Sequence, residues 1–313
     1  MNWEKIVEQI PTAIEKVRTD YVLNNMIIKD DIFGILEKHC TVVYYPTENE
    51  INCGFHTKRF VKDKLEDFVY INTAKTVAEQ VFAAAHELGH VWGVATQVWE
   101  LAGERGVLES KIEERIINRF AAELLMPAKE FRKAFWVHME KLGLDPSRLR
   151  LVDLIRVIVL QMNDYMVPYE SVRKRVIETK IITQKFGDVL LKNEETILPL
   201  VNAFSKDQNT MLDRVTAKKT IPGLRNLLET VEKGRELSIY TINRIKSDFD
   251  IDDINGTDDI VDISIEGDKH EEEIAKKQNT SISVKEIESI LKAMRKRDAI
   301  SSIKAVWREN HTV

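Results

Sequence analysis

The segment HELGH places His86 and His90 four residues apart, with Glu87 between them. On a helix, side chains four apart share a face, so the two imidazoles can converge on one point. Glu87, about 100° further round, can act on water at that point without binding there itself. Zinc suits such a set, because it accepts nitrogen and carboxylate ligands, keeps an open position and brings the pKa of its water to about 7. The chemistry predicted is hydrolysis, with His86 and His90 as metal ligands and Glu87 as general base. With seven histidines in 313 residues, this spacing arises by chance in roughly one chain in a hundred, so an accidental helix turn is the poorer reading. Val81, Phe82, Ala83, Ala84 and Ala85 run into the motif and put it on a packed helix.

Such a site needs a third protein ligand. A third histidine in the pattern HExxHxxGxxH is one solution, and HELGHVWGVAT supplies Gly93 but has Thr96 where that histidine belongs. The other solution is a glutamate from a following helix, where Glu109, Glu113 and Glu114 are available. Ile117, Phe120, Ala121 and Leu124 define the apolar stripe of that helix, and Glu113 and Glu114 both lie within reach of it. Periodicity does not choose between them.

The elements that would position these residues follow from the patterning. A helix over residues 76–94 carries the motif, weakened at its end by Gly93, and a second over about 108–125 stops before Pro127. Ahead of them, Ile6, Ile10, Ile14 and Val17 predict a first helix, a lid or buttress, that Pro11 breaks or restarts. CTVVYY and FVYIN read as strands of a small sheet separated by a charged segment, and FVYIN could offer an edge to an extended peptide. The stretch 149–162 is a buried helix, interrupted by Arg150, Asp153 and Arg156 and too short to span a bilayer. Another helix follows at VPYESVRKRVIE, then further helices separated by Pro199 and by a turn at Pro222 and Gly223.

Residues 248–277 are rich in Asp and Glu and read as a linker. An EF-hand loop fails there, since placing Gly256 at loop position six puts Ile251 where an aspartate is required. Ser283 and Glu286 predict a capping box for a final helix bearing Ile287, Ile290, Leu291 and Met294.

The net charge of −5 gives no overall reason to bind nucleic acid or an anionic membrane. Cys40 and Cys53, the only cysteines, match no disulfide framework or CxxC pattern. With a start, MNWEKIVEQI, that lacks the form of an export signal, they lead to an expectation of a cytoplasmic protein.

HELGH followed by EERIINRFAAELLMP resembles the ImmA/IrrE metallopeptidases of bacteria, phages and mobile elements, whose second motif reads approximately E-x-x-A-N-x-F-A-x-x-L-L-M-P. Asn118, Phe120, Ala121, Leu124, Leu125, Met126 and Pro127 match it, and Ile117 replaces the usual small residue. The resemblance runs from about 41 to 127, with a weaker likeness at YMVPYESVRKRVIE. It implies that the third ligand is Glu114, that the cofactor is Zn2+, and that the usual activity is cleavage of a cytosolic helix-turn-helix repressor.

The fold expected is α+β: a mainly helical, zincin-like catalytic domain with a small sheet, followed by helical C-terminal regions. Its expected divisions are a metallopeptidase domain over 1–130, a helical subdomain over 131–185, a helical region over 186–247, an acidic linker over 248–280 and a helix over 281–313. His138, Tyr70 and Tyr44 are candidate oxyanion donors, although each reads more simply as structural. A competing reading is a catalytically weak zinc-fold regulatory protein acting through its C-terminal extension, against which the intact Glu87 argues. Another is a DNA-associated module resting on Lys292, Arg295, Lys296 and Arg297, charges that a solvated helix face explains better.

Overall fold

Apolar residues recur at helical spacing along most of the described residues, and there the backbone is helical. The structure, a computed structural model, describes residues 1–20, 27–47, 53–61, 64–145, 149–192, 194–207, 212–222, 224, 228–229, 232–233 and 237–248. Nearly all of the expected linker and the final helix lie outside these residues. Among them are eleven helices and one three-stranded mixed sheet, the mainly helical α+β class expected. The chain divides into two compact units, residues 1–39 with 76–214, and residues 40–75 with 215–313.

The first unit is helical. It comprises α1 (Trp3–Asp20), α2 (Asp31–His39), α3 (Val77–Val91), α4 (Val94–Leu101), α5 (Ser110–Leu125), α6 (Ala128–Lys141), α7 (Leu151–Tyr165), α8 (Tyr169–Glu178), α9 (Gln184–Lys192) and α10 (Glu194–Asp207). α1 buries Ile6, Ile10, Ala13, Ile14 and Val17 and packs on α4 and α5. It is a buttress, and it runs unbroken through Pro11, whose ring lies on the exposed face. α10 likewise continues through Pro199. In both, packing of the apolar face outweighs the one backbone hydrogen bond that proline removes.

α3 begins with a capping box, the Glu79 amide donating to Thr76 Oγ1 at 3.3 Å and the Thr76 amide to Glu79 Oε2 at 2.9 Å. It ends at Val91, short of the expected position 94. Gly93 there takes a left-handed φ of +62°, open to glycine without the clash a Cβ would bring, and the chain restarts as α4. α5 packs on α3, with the fully buried Ile117 and Phe120 against Gly89. Its C-terminal end is tied to α8 by the wholly buried Arg175, whose Nε donates to the Met126 carbonyl at 2.9 Å. The same guanidinium pairs with Glu123 and Glu178, so the buried charge is neutralised on both sides.

The second unit is built on β1 (Thr41–Tyr45), β2 (Gly54–Val61) and β3 (Lys64–Asn72), in the order β1-β3-β2. β3 pairs parallel with β1, Thr41 opposite Phe68, and antiparallel with β2, Gly54 opposite Ile71. β2 is the segment expected only to separate two strands. Its buried positions are Thr57 and Arg59, the guanidinium lying 5.5 Å from the centre of the Phe68 ring, so the alternation that marks a strand is written in polar residues. FVYIN lies in the central strand with both sides paired, which removes it as an edge for a peptide. β1 is met on its outer side by Thr220, which exchanges two backbone hydrogen bonds with Tyr44 at 2.8 and 2.9 Å. Tyr45 and Tyr70 form one core with Ile221, Leu224, Leu228, Ile242 and Ile245, the last two from α11 (Ile239–Asp248).

Candidate metal centre

α3 and α5 together bring six polar side chains to one place. His86 and His90, one turn apart on α3, approach each other with Nε2 atoms 3.2 Å apart. From α5, Glu114 sets Oε2 3.2 Å from His86 Nε2 and Oε1 3.3 Å from His90 Nε2. Glu113 Oε1 lies 3.5 Å from the other ring nitrogen of His90. Asn118 Oδ1 accepts from His86 Nδ1 at 3.2 Å. Glu87 is buried beside them, with a ligand-type atom within 4.8 Å of those of both histidines.

These spacings can be tested against a metal. Donors about 2.0–2.2 Å from a tetrahedral zinc stand about 3.3–3.6 Å from one another. The separations of 3.2, 3.2 and 3.3 Å among His86, His90 and Glu114 are close to that edge length. Two imidazole nitrogens and a carboxylate turned toward one point, with the apolar interior on one side, is a donor set that fits zinc.

The electrostatics follow from burial and from the neighbouring charges. Burial pushes the Glu87 carboxyl above its ordinary value, opposed by His86 and His90 and reinforced by Glu114. Burial also acts to raise Glu114, but hydrogen bonds from His86 and His90 outweigh it and hold this carboxyl well below the usual carboxylate range. For His90, burial lowers the pKa, yet Glu114 and Glu87 prevail and the net direction is upward. Glu114 is therefore anionic, the form that binds cations.

Residues 37–176 match the family model of the IrrE N-terminal-like domain, Peptidase_M78. Over these residues the chain is similar to that metallopeptidase family. No curated protein and no solved structure matches the chain.

Within the IrrE N-terminal-like domain, the other residues singled out from sequence are placed as follows. Glu109 occupies the N-cap position of α5 and is exposed. Thr96 lies on an exposed face of α4. Tyr70 and Tyr44 belong to the sheet unit; the Tyr70 hydroxyl donates to the Tyr45 carbonyl at 2.7 Å, and Lys218 Nζ lies 4.6 Å from the centre of the Tyr44 ring. His138 Nε2 is 2.6 Å from Asp164 Oδ2. All three thus have structural engagements, and no described contact joins His138 to the histidines of α3.

Two features of the centre escape a reading by motif. Gly89 is buried where a Cβ would come within 3.1 Å of Ile117 and Phe120 side-chain atoms, so its small size sets how closely α3 meets α5. Asn118 faces His86, a placement that its position four residues after Glu114 on the same helix could have signalled.

Proposed function

We propose that this chain is a zinc-dependent endopeptidase acting in the cytoplasm on a protein substrate, a helix-turn-helix transcriptional repressor. In this reading His86, His90 and Glu114 hold the zinc, and Glu87 is the general base. The observation that carries it is the Glu114 carboxylate turned to both imidazoles of α3 at 3.2 and 3.3 Å. The metallopeptidase family supports a protein as substrate; the repressor rests on the resemblance of the two motifs alone. We also assign the catalytic domain to residues 1–130, with the later regions as appendages.

A bound zinc supplies Lewis acidity toward a peptide carbonyl and toward water. His86 and His90 would offer their ring nitrogens at fixed spacing because both sit on one rigid helix. Glu114 adds the negative charge that offsets the cation. Glu87, anchored on a buried turn, takes a proton from the attacking water on its carboxylate and delivers it to the departing amide nitrogen.

Metal analysis of the purified chain, coupled to incubation with a repressor encoded beside its gene, tests this reading. Equimolar zinc and a single cut, read by mass spectrometry, are expected. Glu114→Ala loses the zinc, and Glu113→Ala keeps most of it. Full zinc in Glu114→Ala together with loss in Glu113→Ala would move the ligand by one residue. A zinc-loaded chain that leaves the repressor intact would sink the substrate assignment.

A further inference from the structure

We infer that Asn118 is a positioning residue for the metal centre: it fixes the tautomer and the ring orientation of His86 so that Nε2 is presented bare toward the metal. This rests on the ligand set proposed above. The orientation of the amide is determined by its surroundings. Asn118 Nδ2 donates to the Glu114 backbone carbonyl at 2.9 Å, and a carbonyl can only accept, so the nitrogen must be on that side. Oδ1 is thereby turned to His86 Nδ1 at 3.2 Å. An amide oxygen has no proton to give, so the proton of this hydrogen bond belongs to Nδ1 of the imidazole. When the ring gives up its second proton to a metal, the proton it keeps is the one on Nδ1, and Nε2 is the nitrogen left bare. That is the atom 3.2 Å from both His90 Nε2 and Glu114 Oε2.

The arrangement is economical in sequence terms. Glu114 and Asn118 are four apart on α5, so one helix face delivers both a ligand and the group that orients a ligand on α3. Asn118 is exposed at the surface of α5 and contributes no apolar burial there. A helix interior gains nothing intrinsic from asparagine over alanine, so its value at this position lies in the two hydrogen bonds. The two histidines are treated differently: His86 meets a neutral amide at hydrogen-bond distance, whereas His90 Nδ1 meets Glu113 Oε1 at 3.5 Å. Orienting partners of metal-bound imidazoles are worth about 10–100-fold in metal affinity.

The experiment is zinc affinity by chelator competition for the full chain, Asn118→Ala and Asn118→Asp, with thermal melting of the metal-free proteins and the visible spectrum of the cobalt-substituted ones. Asn118→Ala should bind zinc about 10–100-fold more weakly and alter the cobalt spectrum, while its metal-free melting point does not fall. Asn118→Asp keeps an oxygen acceptor for His86 but cannot donate to the Glu114 carbonyl, so it should recover most of the affinity. If Asn118→Asp is as weak as Asn118→Ala, the bond to Glu114 carries the effect and the inference is overturned. Unchanged affinity in Asn118→Ala, beside a wild-type chain whose zinc depends on His90 and Glu114, overturns it alone. A wild-type chain without tight zinc refutes the ligand set itself, and this inference with it.

Discussion

The two units of this chain are assembled on opposite principles. In the helical unit, residues 76–207 run through eight helices that pack largely on one another, with α1 and α2 added from the start of the chain, and every residue of the candidate centre belongs to the continuous stretch. In the sheet unit, Tyr45 and Tyr70 share a core with Ile221, Leu228 and Ile245, residues that the chain reaches only after building the other unit. The contrast teaches that a site can be compact in sequence while the fold around it is not. A helix supplies its own side-chain spacing, whereas a sheet core closed by a distant segment is formed only when that segment returns.

The contrast can be broken or sharpened by substitution. The largest effect is expected at Glu87→Gln, which keeps the size of the side chain but not its basicity. Cleavage should fall by at least the roughly 10²–10⁴-fold that a general base contributes, while zinc content and the melting profile of both units stay as they were. Retained proteolysis would refute the role of Glu87. Next, Ile245→Ala removes a fully buried side chain from the sheet unit's core and should cost about 2–5 kcal/mol by denaturant unfolding. Zinc affinity should be unchanged, since the proposed ligands lie in the other unit; loss of zinc would show that the two principles are coupled.

Gly89→Ala tests the helical unit by overfilling it. The new methyl would press on Ile117 and Phe120 at 3.1 Å, an overpacking penalty of about 1–3 kcal/mol offset in part by about 1 kcal/mol of helix propensity. A lower melting point with weaker zinc binding is expected, because α3 and α5 are pushed apart where Glu114 meets the histidines. A more stable variant with normal zinc would mean that the helix contact has slack. The smallest effect is Thr76→Ala, which opens the capping box of α3 and should cost about 0.5–2 kcal/mol, read as faster amide exchange in the first turn of α3 alone.

Legibility followed the range of the interactions. His86, Glu87 and His90 are visible because helical spacing is local, and the strands β1 and β3 show as β-branched and aromatic runs. β2 was hidden because its inward residues, Thr57 and Arg59, are polar and are made compatible with burial only by partners such as Phe68. In α6, Phe131, Phe135 and Met139 form a buried stripe, but the exposed apolar Trp136 and Val137 and the interleaved charges blur its period in the sequence. Pro11 and Pro199 read as breaks, and tertiary packing overrode them.

The chemistry on offer is legible from residue types and spacing alone: two imidazoles and a carboxylate at helical spacing, with acidic residues on the next helix as candidate further donors. Between Glu113 and Glu114, adjacent on one helix, periodicity had no means of choosing, and the family resemblance alone favoured Glu114. The packing of α5 on α3 sets Glu114 against Nε2 of both histidines and Glu113 against the outer nitrogen of one. Which of the two carboxylates faces both imidazoles is a matter of packing, because adjacent helical residues point about 100° apart and the direction that faces α3 depends on how Gly89, Ile117 and Phe120 let the two helices meet.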